Sequence, residues 1–237
     1  MSKFKIAIAA LAATAQAVPR PLDGRTVLER PAISPFPYTP AKAFAASPAR
    51  DLDKLCFVEA SCSGGDDAPA ILSGLHRCNH GGTIVLDADY TVASPLDLTF
   101  LDSVDVIFTG KITFTDDIEY WSANTFKYAY QNVSTFWRWG GHDVNIYGGG
   151  MGTLEGQGQI WWDTAAVNKT LERPVLLVID GLHGGTISGI NLHQTPFVSA
   201  FVDQRLDSVD ESSGTVLLPI RATLSWTGCT SIPWSVP

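Results

Sequence analysis

The chain has 237 residues, 45% of them apolar and 17% charged, and carries a net charge of −8. This length can bury a sizeable core as one large all-β domain or two small ones, and the composition excludes a disordered polymer. The negative balance excludes a general nucleic-acid binder, but a polyanionic substrate remains open because a local basic cleft can sit on an acidic protein.

Residues 1–17 read as a secretory signal. Lys3 and Lys5 form the positive start, Ile6 to Ala13 the short apolar stretch, and Ala15-Gln16-Ala17 the small-residue cleavage site, with cleavage after Ala17. No later stretch is long and apolar enough to span a membrane. The expectation is therefore a secreted, extracellular protein, in which glycans and disulfides are permitted. Asn132-Val133-Ser134 and Asn168-Lys169-Thr170 are acceptor sequons, so Asn132 and Asn168 are the expected glycosylation sites. Four cysteines, Cys56, Cys62, Cys78 and Cys229, allow three pairings. They include no close C-x-x-C pair and no histidine cluster accompanies them, which favours disulfides over a metal site.

Residues 18–50 are rich in proline and alanine, with Pro19, Pro21, Pro31, Pro35, Pro37, Pro40 and Pro48. Proline removes backbone donors and favours extended chain, so this stretch reads as a propiece or a surface strap. Asp66 to Cys78 is the single predicted helix. Asp66 or Asp67 can cap it, Pro69 suits its first turn, Ile71, Leu72 and Leu75 form its apolar face, and Asn79-His80-Gly81-Gly82 ends it. Strands are predicted on either side, at Cys56-Phe57-Val58 and at Thr83 to Leu86.

Further strands follow at Tyr90 to Val92, Leu96 to Phe100, Val104 to Phe108 and Lys111 to Phe114. Val104, Val144 and Ile187 occupy matching places in similar phrases about 40 residues apart, which predicts a coiled, solenoidal sheet with two coils per step. A β-sandwich of hairpins is the alternative. Its tight Asn-Gly or Asp-Gly loops are nearly missing, since only Asp23-Gly24 and Asp180-Gly181 occur. The aromatic cluster Trp137, Trp139, Trp161 and Trp162 has two readings, packing along a sheet or under a loop, and a platform for sugar rings.

Several segments, taken in order, carry a family likeness. They are Gly64-Gly65-Asp66-Asp67-Ala68-Pro69-Ala70-Ile71, Cys78-Asn79-His80-Gly81-Gly82-Thr83, Ser94-Pro95-Leu96-Asp97-Leu98 and Phe114 to Trp121. Asn145-Ile146-Tyr147-Gly148-Gly149-Gly150, Gly156 to Asp163 and Arg173-Pro174 complete the series. Across roughly residues 51 to 198 the chain resembles glycoside hydrolase family 28, the polygalacturonases, most closely the fungal exo-acting branch. The resemblance implies an all-β fold, a right-handed parallel β-helix whose first coil is capped by the Asp66–Cys78 helix. It also implies a disulfide between Cys56 and Cys78. Its substrate would be polygalacturonate, cleaved at α-1,4 bonds with inversion.

Inversion needs one carboxylic acid to protonate the leaving oxygen and a second carboxylate to activate water, about 6.5–9.5 Å apart. The resemblance assigns this chemistry to an Asn-Thr-Asp motif, an Asp-Asp pair, a Gly-His-Gly and an Arg-Ile-Lys that binds the uronate carboxylate. Asn124-Thr125-Phe126 is the nearest string to the first. Asp66-Asp67 and Asp116-Asp117 precede the catalytic position, and Leu182-His183-Gly184-Gly185 also falls outside it. Ile220-Arg221-Ala222 is no substitute for the last. No residue of this chain is thus expected to be catalytic, and no cofactor or metal is expected. The organisation expected is 1–17 signal, 18–50 strap, 51–202 coils and 203–237 a divergent tail, the departure starting near Pro196. This is a β-helix incomplete at its C-terminal end, a monomer prone to aggregate at the open coil, with no nucleic-acid or membrane partner. Two other functions compete. One is a non-catalytic oligogalacturonide binder or decoy. The other is a pectate-lyase-like enzyme holding Ca²⁺ through Asp102, Asp105, Asp116 and Asp117.

Overall fold

The structure is a computed structural model that describes residues 20–22, 25–31, 47–61, 64–129, 133–197 and 200–203. The predicted signal, Cys62, Asn132, Cys229 and the chain after residue 203 lie outside the described residues.

Strands β1 (Arg20–Leu22) and β2 (Arg25–Val27) pair as a short antiparallel hairpin. Strand β3 (Leu55–Phe57) begins the stack, and helix α1 (Ala68–Cys78) follows. The chain then winds through three parallel sheets in turn. The first turn is β4 (Thr83–Leu86), β5 (Asp89–Val92) and β6 (Leu96–Leu98). The second opens with β7 (Asp102–Phe108) and β8 (Lys111–Phe114). It detours through α2 (Ile118–Asn124), β9 (Phe126–Lys127) and β10 (Ser134–Thr135), then rejoins the stack at β11 (Trp137–Tyr147). The third runs through β12 (Thr153–Glu155), α3 (Gly158–Val167) and β13 (Pro174–Val175) to β14 (Leu177–Ser188). Strands β15 (Asn191–His193) and β16 (Ala200–Asp203) follow.

Strands β3, β4, β7, β11 and β14 form the first sheet; β5, β8, β12 and β15 form the second. Two strands serve two sheets. The start of β11 pairs with β6, and the start of β14 with β16, making a third sheet, while their far ends belong to the first. The bend in β11 falls at Gly140-Gly141, where the register shifts. Gly141 has φ 98°, and a Cβ there would lie 1.8 Å from the Leu101 carbonyl oxygen, so a side chain fits neither the dihedral nor the space. The architecture is a parallel β-helix.

Register explains the core. Ile84, Val106, Ile146 and Ile187 stack one above another inside the first sheet, and Tyr90, Ile112 and Leu154 inside the second. All seven are at most 3% exposed. Each such aliphatic side chain contributes about 1.5–3 kcal/mol by leaving water. Asp105 of β7 faces Asn145 of β11, 40 residues on, and Asn145 faces Thr186 of β14, 41 further. These strands are direct neighbours. The 40-residue period is therefore one turn, and the expectation of two coils per step is corrected. The step from Ile84 to Val106 is about half as long, and α2 and α3 account for the difference. Val104 and Val144 are register partners as the phrases suggest, but Val144 faces Gly185 and Ile187 faces Ile146.

The expectation of a single helix is also corrected. Helix α2 is capped by Asp117, whose Oδ1 accepts from the Tyr120 backbone N–H at 2.9 Å. Helix α3 begins after Gln157 at φ 53°. Both are anchored through Phe136, a fully buried ring that stacks on Phe114 at 4.5 Å. Phe136 also takes the edges of Trp121 from α2 and Trp161 from α3, at 4.8 and 6.1 Å. At the other end, α1 buries Ala68, Ile71, Leu75 and Cys78 against the first coil. A disulfide joins Cys78 to Cys56 in β3.

Of the described residues before β3, Val27, Leu28, Arg30 and Arg50 contact the outer face of the first sheet. Val27 and Leu28 pack on Val85, Ile107 and Tyr147. Arg30 grips both oxygens of Asp105, at 2.8 and 2.9 Å, and Arg50 adds a further bond at 2.9 Å. Arg50 also reaches the Asp143 carboxylate at 2.7 Å.

Candidate functional site

The outer face of the third sheet gathers charge. Alternation along β11 sends Trp137 and Trp139 into the core and Arg138 outward. Arg138 stands between two carboxylates. Nη2 donates to Asp97 of β6 at 2.6 Å, and Nη1 to Asp180 of β14 at 3.3 Å. The guanidinium also lies 4.7 Å from the Phe126 ring centroid. Its Nε has no partner among the described residues. The Tyr128 hydroxyl donates to Asp180 at 2.9 Å.

This arrangement holds charge in place. Burial works against the charged form of Asp97, but hydrogen bonds from Arg138 and Thr99 outweigh it and hold the carboxyl below its ordinary range. Burial first, and then the bond to Asp180, push the Tyr128 hydroxyl up, so it stays a donor. Such a group can bind and orient a polar ligand. A carboxylate stabilised as an anion is poorly suited to protonate a leaving group.

The residues singled out from the sequence fall elsewhere. Asp67 accepts from the Ser61 and Thr91 backbone N–H groups, and Asp66 from Ala68, Ala93 and the Ser94 hydroxyl. Asp67 stands at the N-cap of α1 but ties the loop at Ser61 to strand β5 instead of capping; Asp66 takes the first helical N–H. The four aspartates considered for Ca²⁺ do not converge. Asp117 caps α2, Asp102 sits beside His80 at 3.2 Å, and Asp105 is neutralised by Arg30 and Arg50. Among the described residues no group of three or more His, Cys, Asp or Glu is placed to hold a metal. His183 is an exposed residue of β14, stacked on His142 of β11 with centroids 5.0 Å apart. Asn168 caps the C-terminal end of α3. Trp137, Trp139 and Trp161 are core residues, whereas Trp162 is 39% exposed. The Arg138 group was missed. Its signal was a lone basic residue between two tryptophans on a strand, where the period of two forces it to the opposite face.

The family model for "Glycosyl hydrolases family 28" matches residues 83–209, more than half of the chain. The chain belongs to glycosyl hydrolase family 28. It is 46% identical to exopolygalacturonase X-2 of Emericella nidulans over 182 residues, which are 77% of this chain and 40% of that protein. It is 39% identical to exopolygalacturonase X of Aspergillus niger over 213 residues, 87% of this chain and 46% of the relative. Among solved structures it is similar to the endo-xylogalacturonan hydrolase of Aspergillus tubingensis, with TM-score 0.56 and 31% identity over 62% of this chain and 39% of that one. The chain thus spans less than half the length of these family 28 relatives. The family match runs to residue 209, and strand β16 at Ala200–Asp203 lies within it.

Proposed function

We propose that this chain supplies the N-terminal coils of an exopolygalacturonase-like, pectin-degrading glycoside hydrolase, and that these 237 residues do not cleave galacturonan by themselves. The observation carrying this reading is the similarity to exopolygalacturonases along more than three-quarters of the chain, in a sequence without Asn-Thr-Asp, Gly-His-Gly or Arg-Ile-Lys. An acid and a base each contribute roughly 10²–10⁴-fold to such a reaction. Without both, purified chain incubated with polygalacturonate is expected to release no reducing ends above the no-protein blank. Release of galacturonate with inverted anomeric configuration would overturn the reading.

The same reading places the protein outside the cell, with residues 1–17 removed and a glycan on Asn168. Support comes from the side chain. Asn168 is exposed, and its Oδ1 accepts from both the Thr170 backbone N–H at 3.2 Å and the Thr170 hydroxyl at 2.8 Å. The asparagine and hydroxyl of the sequon thus meet on an open surface. Expressed in a eukaryotic secretory host, the protein should appear in the medium beginning at Val18. Asn168→Gln should remove one glycan's mass, measured by intact-mass spectrometry. An unchanged mass would remove Asn168 as a site.

A further inference from the structure

Trp162 differs from the other three tryptophans of its cluster in facing solvent. It is held in place firmly. Its indole N–H donates to the Thr195 carbonyl at 3.2 Å, and its ring rests on Gly158, where a Cβ would come within 2.7 Å of the ring. The Thr195 hydroxyl in turn donates to the Phe197 carbonyl at 3.2 Å. Phe197 is 50% exposed, and the Arg173 guanidinium lies 4.9 Å from its ring centroid. On the other flank the Gln194 carbonyl accepts from the Gly158 N–H at 2.7 Å, and its Oε1 from the Gln159 N–H at 3.4 Å. Two outward rings, a guanidinium and two side-chain amides therefore follow one another along a hydrogen-bonded frame.

Exposed large rings on a structured surface mark a binding face more often than isolated apolar residues do. The charge near these rings narrows the ligand. Among the described residues no carboxylate pairs with Arg173, unlike Arg25, Arg30, Arg50 and Arg138, each of which has an acidic partner. A guanidinium without a carboxylate partner, 4.9 Å from the exposed Phe197 ring, suits a ring that is apolar on one face and carries a carboxylate at its edge. Aromatic side chains supply the apolar area at low entropic cost; the Gln159 amide donates its Nε2 to Asp163 at 2.9 Å, which leaves its Oε1 as an acceptor and the Gln194 Nε2 as a donor for hydroxyls.

We propose that Trp162, Phe197 and Arg173 form a docking strip for an acidic oligosaccharide. The ligand class rests on the galacturonan reading above. The rings stack on sugar faces, and Arg173 takes a uronate carboxylate.

Calorimetric titration of the full chain with a galacturonate trimer, its methyl ester and a neutral galactose trimer tests this. The acid trimer should bind best. Trp162→Ala should weaken it about tenfold or more, and Arg173→Gln should abolish the preference for acid over ester, with the far-ultraviolet dichroism of both variants unchanged. If both variants bind the acid trimer as the native chain does, the strip is overturned while the galacturonan reading stands. If the native chain prefers the neutral trimer and Trp162→Ala loses it, the acidic ligand and the galacturonan reading fail together. Absence of binding to all three trimers by the native chain also overturns the strip.

Discussion

Asp105→Ala should destabilise the protein by about 3–5 kcal/mol, because it removes the acceptor at the centre of a buried charge group. Asp105 is 3% exposed, and its two oxygens take bonds from Arg30, Arg50, the Asn145 amide and the Tyr147 hydroxyl. Truncation leaves two guanidinium groups against the sheet, Arg50 with only 5% of its side chain exposed. Chemical denaturation measures the loss. The contrast is Arg25→Ala. Arg25 pairs with Glu59, whose side chain is 76% exposed, so that pair is worth about 0–1 kcal/mol. A cost at Asp105 no larger than at Arg25 would mean that the segment before β3 is only loosely held.

The same group carries a pH dependence whose sign is fixed. Burial opposes ionisation of Asp143, but hydrogen bonds from Arg50 and Ser47 outweigh it and hold its carboxyl below the usual range. A depressed folded value contributes stability above the unfolded pKa and loses it as pH falls through the folded one. The loss therefore begins below about pH 4, near the unfolded aspartate value, and deepens with further acid. Asp143→Asn should flatten that limb of a stability-against-pH curve.

Phe136→Ala should cost a further large amount, about 3–5 kcal/mol, with a signature of its own. Phe136 is the shared partner of Phe114, Trp121 and Trp161, so its loss loosens both helical insertions at once. Near-ultraviolet dichroism should fall with the stability, whereas Phe136→Leu should retain most of both. A dichroism spectrum unchanged in Phe136→Ala would show that α2 and α3 are anchored elsewhere.

Much of the ladder could be read from residue order. Alternating apolar residues in Thr83–Leu86, Val104–Phe108 and Asn145–Tyr147 specify which side chains stack, because a slip of one residue would turn the whole strand inside out. A slip of two keeps the same face inward, which is why Ile187 could be matched to Val144 although its partner is Ile146. The helices were hidden for different reasons. Asp117 is a capping residue, but in the pair Asp116-Asp117 it reads equally well as a candidate catalytic or calcium-binding acid. Helix α3 starts after a left-handed glutamine, where no Ser, Thr, Asp or Asn marks its beginning. The Arg138 group joins Asp97, Tyr128 and Asp180 from four separate segments, and only the turn-by-turn register brings them together.

The shared strands β11 and β14 bear on how the molecule comes apart. In the first turn β6 and β7 are separate pieces, and the corner between them is three residues of irregular backbone. One turn higher the same corner is crossed by a single continuous strand. Amide hydrogens flanking that lower corner should exchange by local opening, while those around Gly141 should exchange only when two walls of the solenoid unzip together. The grain of the protein thus coarsens along its axis, from a hinge at the capped end to a single cooperative plank above it.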